Sequence, residues 1–184
     1  MNKQLRNLLF GSYLWFFGAG LLGPLYAIFA KQIGGDILDL TGAYALYLIL
    51  AGMLSIYIGR ISDHHSKKYL MVSGYALNTL ATFGYLLVDS SQRLFIVQGM
   101  FGVAMALAFP TWDSLFTMNL DKRHLGREWG LSEGGPYIVS GLAVLLGGQI
   151  LANFGFKFLF IAMGTAQALA TIVQMRTLRR GNWS

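Results

Sequence analysis

Six uncharged, largely apolar runs occupy most of this chain: Asn7 to Ala30, Leu40 to Gly59, Tyr69 to Val88, Leu94 to Trp112, Gly134 to Phe156 and Phe158 to Met175. Each is about the length a helix needs to cross about 30 Å of hydrocarbon. The fourth run continues past Asp113 to about Met118, and the joints between the others are short. The expected fold is an all-α membrane protein: one six-helix transmembrane domain over residues 1–184, with spans near 7–30, 40–59, 69–88, 94–118, 134–156 and 158–175.

Composition agrees with that solvent. A chain that is 55% hydrophobic and 12% charged, with mean hydropathy +0.53, lacks the polar surface of a soluble domain. There are no cysteines, hence no disulfide framework and no thiolate metal site. The opening "MNKQLRNLLFGSYLWFFGAGLLG" imitates a signal peptide, but its apolar run is too long for an h-region and lacks a small-x-small cleavage site, so it reads as the first helix.

Lys and Arg in alternate joints set the orientation. Lys3, Arg6, Arg60, Lys67, Lys68, Lys122, Arg123, Arg127, Arg176, Arg179 and Arg180 fall on one side, and only Lys31, Arg93 and Lys157 on the other. The positive-inside rule then places both termini in the cytoplasm of a multi-pass protein of the cell (inner) membrane. The same cations explain the pI near 9.7 through anionic headgroups, without nucleic acid as a partner.

Three helices plus three, starting from opposite sides, is the arrangement of an inverted repeat, with "NLDKRHLGREWGLSE" at 119–133 as the joint between the fourth and fifth spans. Small residues recur every seven positions: Gly134, Gly141 and Gly148 in the fifth span, and Ala45, Gly52 and Gly59 in the second. Such smooth seams let helix backbones approach closely in lipid. Spacing leaves two readings open, packing within the chain and contact with a partner.

The joint "GRISDHHSKK", residues 59–68, resembles the signature loop of the major facilitator superfamily between its second and third helices: Gly, three residues, Asp, basic, any, Gly, then basic residues. Gly59 matches the glycine, Asp63 the acid, and Lys67 and Lys68 the closing cations; His64 and Ser66 stand where a basic residue and Gly are usual. "FIVQGMFGVAMALAFPTW" is similar to the family's fourth helix, "HLGREWGL" to the loop before its fifth, and "GLAVLLGGQILANFGFKFLF" to the fifth helix and its turn. The chain thus resembles one six-helix half of a transporter that normally has two.

That resemblance implies a secondary active transporter of a small solute, working by alternating access as a homodimer of halves. In the family the loop aspartate is accepted at a helix N-terminus of the opposite half, where free N–H groups and the dipole favour a carboxylate. Here that helix would be the fifth of a second copy, starting near Ser132, with Gly52 and Gly59 facing Gly141 and Gly148 of the partner. Asp63, with Lys67 as counterion, would latch the outward-open state. The plainer reading is that Asp63 and Ser66 cap the third helix while the cations set topology. Proton-coupled drug antiporters carry an arginine three residues before the Gln-Gly pair of the fourth helix; before Gln98 and Gly99 that place holds Phe95.

Within the spans, Asp113 is the carboxylate that asks for a partner, water or a proton, since a central charge costs about 2.5–3.5 kcal/mol on insertion scales. Beside Pro110, Thr111 and Trp112 it is a candidate for substrate binding or for coupling to a proton or another ion, with a structural hydrogen bond as the alternative. Tyr13, Phe17, Tyr26 and Gln98 are further cavity candidates, Pro24 marks a bend, and Asn78 and Gln149 are polar residues whose default role is interhelical hydrogen bonding. His64 and His65 with Asp63 do not make a metal site, because His124 is the only other imidazole. No cofactor is expected. No Ser/His, His/Glu or phosphate-binding constellation suggests an enzyme. The alternative to a transporter is a non-transporting scaffold or accessory subunit.

Overall fold

A computed structural model describes residues 1–178. Among these there is helix and no strand: α1 (Lys3–Leu22), α2 (Tyr26–Gln32), α3 (Ile37–Ser62), α4 (Lys67–Gly84), α5 (Ser91–Met118) and α6 (Leu125–Leu178). Arg179 and Arg180, counted above among the basic residues, lie outside the described residues. Among the described residues, five helical segments are long and apolar enough to cross a membrane: 3–32, 37–62, 67–87, 91–118 and 125–178.

The helices overrun the apolar runs, because a run marks hydrocarbon and a helix continues until its end groups are satisfied. Asp36 starts α3 by accepting the Asp39 N–H at 2.8 Å, and the Asp39 carboxylate returns to the Asp36 N–H at 3.3 Å. A 3-10 turn at Gly23–Leu25, holding the expected bend at Pro24, separates α1 from α2.

The joint at 119–133 is shorter than its charges suggest. Only 119–124 is loop, and α6 already begins at Leu125, so the fifth helix does not start near Ser132 or Gly134. Arg127, Glu128 and Glu133 interrupt the apolar run without interrupting the helix, since Glu and Arg are good helix formers. Glu128 is buried and accepts the Asp121 backbone N–H at 2.8 Å, folding the loop back on the first turn of α6.

At 54 residues α6 would be about 80 Å long if straight, far more than one crossing needs. It breaks at Gly155, whose φ of 78° and ψ of 178° suit glycine alone. The arm before the break (125–154) runs parallel to α1: Tyr13 Oη donates to the Leu131 carbonyl at 2.7 Å, and Ser140 Oγ to the Phe16 carbonyl at 3.4 Å. The arm after it (156–178) runs back: Gln167 Nε2 donates to Trp15 O at 2.9 Å, and Gln174 Nε2 to Leu8 O at 3.2 Å.

On the other side, α5 is parallel to α3 and antiparallel to α4. Gly42, Gly99 and Gly102 meet Phe95, Leu46 and Leu50 across the first pair, while Gly74 lies against Ala104 and Ala108 across the second. Thr79 and Thr171 hydroxyls, 2.9 Å apart, join α4 to the return arm of α6. One core gathers around Phe29, Tyr85, Leu159 and Phe160, and another around Leu5, Trp15, Met71, Trp112 and Phe116.

The candidate translocation site

Among the cavities lined by the described residues, two, of about 510 and 610 Å³, adjoin at Trp15. Both lie within the range of small-molecule sites. Trp15 borders both. It is held by edge-on contacts with Tyr75 and Phe109, at ring separations of 4.7 and 5.8 Å.

Asp113 on α5 and Glu133 on the first arm of α6 line the smaller cavity, with Ser12, Tyr75, Trp112 and Ser132 around them. No Lys, Arg or His is among its lining residues. Asp113 is therefore not the lone carboxylate of this region. Glu133 sits at the edge of an apolar run and reads as loop, and only the early start of α6 turns it onto the cavity wall. Trp112 is fixed by its indole N–H, which donates to Leu8 O at 3.2 Å, and by stacking on Phe116 at 4.9 Å.

Tyr26 and Gln98 border the larger cavity, together with Asn78 from α4 and Gln167 from the return arm. Gln98, Asn78 and Gln167 are buried. Gln167 was not among the sequence candidates, although its spacing of seven from Gln174 in an uncharged run is a visible signal. Tyr13 and Phe17 line neither cavity. The Tyr13 ring lies against Gly135, tying α1 to α6, and Phe17 packs on the first core.

The charged loop sits apart from both. Asp63 ends α3 with its side chain 72% exposed and Lys67 Nζ at 3.7 Å; the same ammonium donates to the Ser62 carbonyl at 2.7 Å. Ser66 stands at the start of α4 without a side-chain cap, and Asp63 does not cap that helix either. Lys68 lies in the first turn of α4, and His65 Nδ1 is 3.1 Å from the Ile61 carbonyl. No group of three His, Cys, Asp or Glu among the described residues is placed to hold a metal.

The seam glycines divide from the packing ones. A methyl group at Gly147 would overlap the Leu21 carbonyl, and one at Gly74 would meet the Ala104 and Ala108 backbone. At Gly52, Gly59, Gly134, Gly141 and Gly148 nothing lies within 4 Å of that position. Among the described residues, no neighbour packs against these seam positions.

A sequence profile of the Major Facilitator Superfamily matches residues 8–181. This chain belongs to the Major Facilitator Superfamily. As a superfamily member with five apolar helical segments, it is a multi-pass membrane protein of a transporter family rather than an enzyme. It is 25% identical over 161 residues to "Uncharacterized MFS-type transporter MJ1560" of Methanocaldococcus jannaschii, a match that covers 88% of this chain and 42% of that one. It is 24% identical over 166 residues to "Uncharacterized MFS-type transporter YitZ" of Bacillus subtilis, covering 88% of this chain and 99% of YitZ. With "Multidrug resistance protein MdtG" of Erwinia billingiae the identity is 21% over 165 residues, covering 88% of this chain and 40% of MdtG. The superfamily chain thus spans about two fifths of MJ1560 and MdtG and nearly all of YitZ. Phe95, where drug antiporters of the superfamily would carry arginine, packs against Gly42.

Proposed function

We propose that the chain is a secondary transporter of a small solute that works as a homodimer of six-span halves by alternating access. The observation that carries this reading is the open glycine seams on α3 and on the first arm of α6. Helix α3 buries only Ala43, Ala51 and Ser62 of its 26 residues, and both seam-bearing elements also contribute walls to the cavities. A second copy laid along them would close the open side of each cavity, and a two-fold pair makes the α3 to α6 contact twice. YitZ, named a transporter and matched over 99% of its length, supports a half-size unit. A scaffold has no need of two polar-floored cavities.

Six spans arise when the two arms of α6 each cross the bilayer. The packing supports a 3+3 inverted repeat: α1 rests on a parallel and an antiparallel arm of α6, as α5 rests on parallel α3 and antiparallel α4. The excess of Lys and Arg in alternate joints supports an inner-membrane protein with both termini on the cytoplasmic side. Two carboxylates, Asp113 and Glu133, facing one cavity without a cation in its lining make that cavity the seat of a coupling proton or cation. Asp63 is the latch, received at the Leu125 end of α6 in the second copy, where Arg123 and Arg127 add positive charge.

Absent cysteines make the test direct. Gly52→Cys with Gly141→Cys, and Gly59→Cys with Gly134→Cys, are expected to give a disulfide-linked dimer in native membranes, and the linked dimer should lose uptake after reconstitution. Monomer at every seam pair, with uptake intact, removes the homodimer.

A further inference from the structure

We propose that the larger cavity binds an uncharged aromatic solute that offers hydrogen-bond donors and acceptors, a class that deepens the transporter reading above. Three of the four buried side-chain polar atoms without a partner among the described residues belong to residues that line this one space: Tyr26 Oη, Asn78 Nδ2 and Gln167 Oε1. Tyr26 Oη lies beside Gln98 without forming a hydrogen bond of good geometry. Buried polar groups are nearly always satisfied, so a cluster of orphans around a cavity points to what enters it.

The orientation of Gln167 is fixed, because its Nε2 is already committed to the Trp15 carbonyl at 2.9 Å. Its Oε1 is therefore an acceptor in want of a donor. The Asn78 amide and the Tyr26 hydroxyl supply the complementary donors. The demand is for a solute with both kinds of group, spread over a space of about 610 Å³.

The rest of the wall selects against charge and for rings. Trp15, Tyr26, Tyr44, Tyr47, Tyr85 and Phe101 line the cavity, and no Asp, Glu, Lys, Arg or His does. Aromatic faces welcome a planar ring by offset or edge contact. A phosphate or carboxylate brought there would be desolvated without a counterion, a far larger penalty than an amide or hydroxyl incurs. The carboxylates are confined to the neighbouring cavity beyond Trp15. Solute and coupling ion thus have separate rooms with one tryptophan between them.

The test uses the purified full chain in nanodiscs and three neutral probes, adenosine, uridine and indole-3-carboxamide, against their charged counterparts adenosine monophosphate, uridine monophosphate and indole-3-carboxylate. Equilibrium dialysis should show saturable binding of at least one neutral probe and at least tenfold weaker binding of its charged partner. Asn78→Leu and Gln98→Leu should each weaken that binding tenfold or more. Asn78→Leu removes an unpartnered amide, so its melting temperature should be equal or higher, which separates lost recognition from lost fold. Binding of no neutral probe, meaning that the cavity holds only ordered water, overturns the proposal. So does equal binding of the charged partner, or unchanged binding by both variants. Uptake of some charged solute that ignores both substitutions would sink this inference and leave the transporter standing; binding without uptake would do the reverse.

Discussion

The Gln167 side-chain amide lies in the notch left by Gly18 and donates to the carbonyl of Trp15, three residues earlier on α1. One heptad away the motif repeats, with Gln174 against Gly11 and its amide on the Leu8 carbonyl. A spacing of seven is about two helical turns, so both notches lie on one stripe of α1 and both amides on one stripe of the return arm. Polar contacts of this kind join helices where lipid gives no hydrophobic force.

Gly18→Leu should therefore expel Gln167. Overpacking costs about 1–3 kcal/mol, and the lost hydrogen bond adds about 0.5–1.5 kcal/mol. The expected result is a melting temperature in detergent several degrees lower, with Leu80→Ala, at an exposed position of α4 away from the seams, as the unchanged control. Equal melting of the two variants would show that the notch is not used.

Gly155→Ala tests the reversal of α6. Backbone near φ 78° and ψ 178° is a region almost confined to glycine, and a side chain there costs about 1–3 kcal/mol. The variant should melt earlier although no atom crowds the position. Full stability would mean that the break tolerates another geometry.

Asp63→Ala separates a gate from a strut. Its ion pair with Lys67 is exposed and contributes no more than about 1 kcal/mol. Insertion and melting temperature should stay as they are while uptake in reconstituted vesicles falls tenfold or more. Unchanged uptake removes the latch.

Asp113→Asn and Glu133→Gln address coupling. Each should flatten the pH dependence of uptake, and the double variant should still bind the solute in the neighbouring cavity. A pH profile that keeps its shape in both single variants would take the proton out of the mechanism.

Asp121, in the loop ahead of α6, has its carboxyl held below the ordinary aspartate range by the Arg123 backbone N–H, with help from the His124 ring; both contacts are 3.0 Å. A depressed carboxylate adds stability above its unfolded value of 3.8, and that stability is lost as pH falls through the folded value. Protease nicking of the 119–124 loop should be flat from neutral pH down to about 5 and rise only in stronger acid. In Asp121→Asn the rise should vanish.

The amino-acid sequence alone determined the solvent, the helical fold and the family, because runs of about twenty apolar residues leave a backbone in lipid one way to pair and "GRISDHHSKK" carries its pattern in consecutive residues. It did not say that Glu133 joins Asp113, that Gln167 faces the larger cavity, or that Gly147 is packed while Gly148 is open. In water the buried face of a helix is the apolar one and can be read from its period; in hydrocarbon the face toward lipid is as apolar as the face toward protein. Which side of each helix meets a neighbour, a cavity or a second copy was decided only when the helices packed.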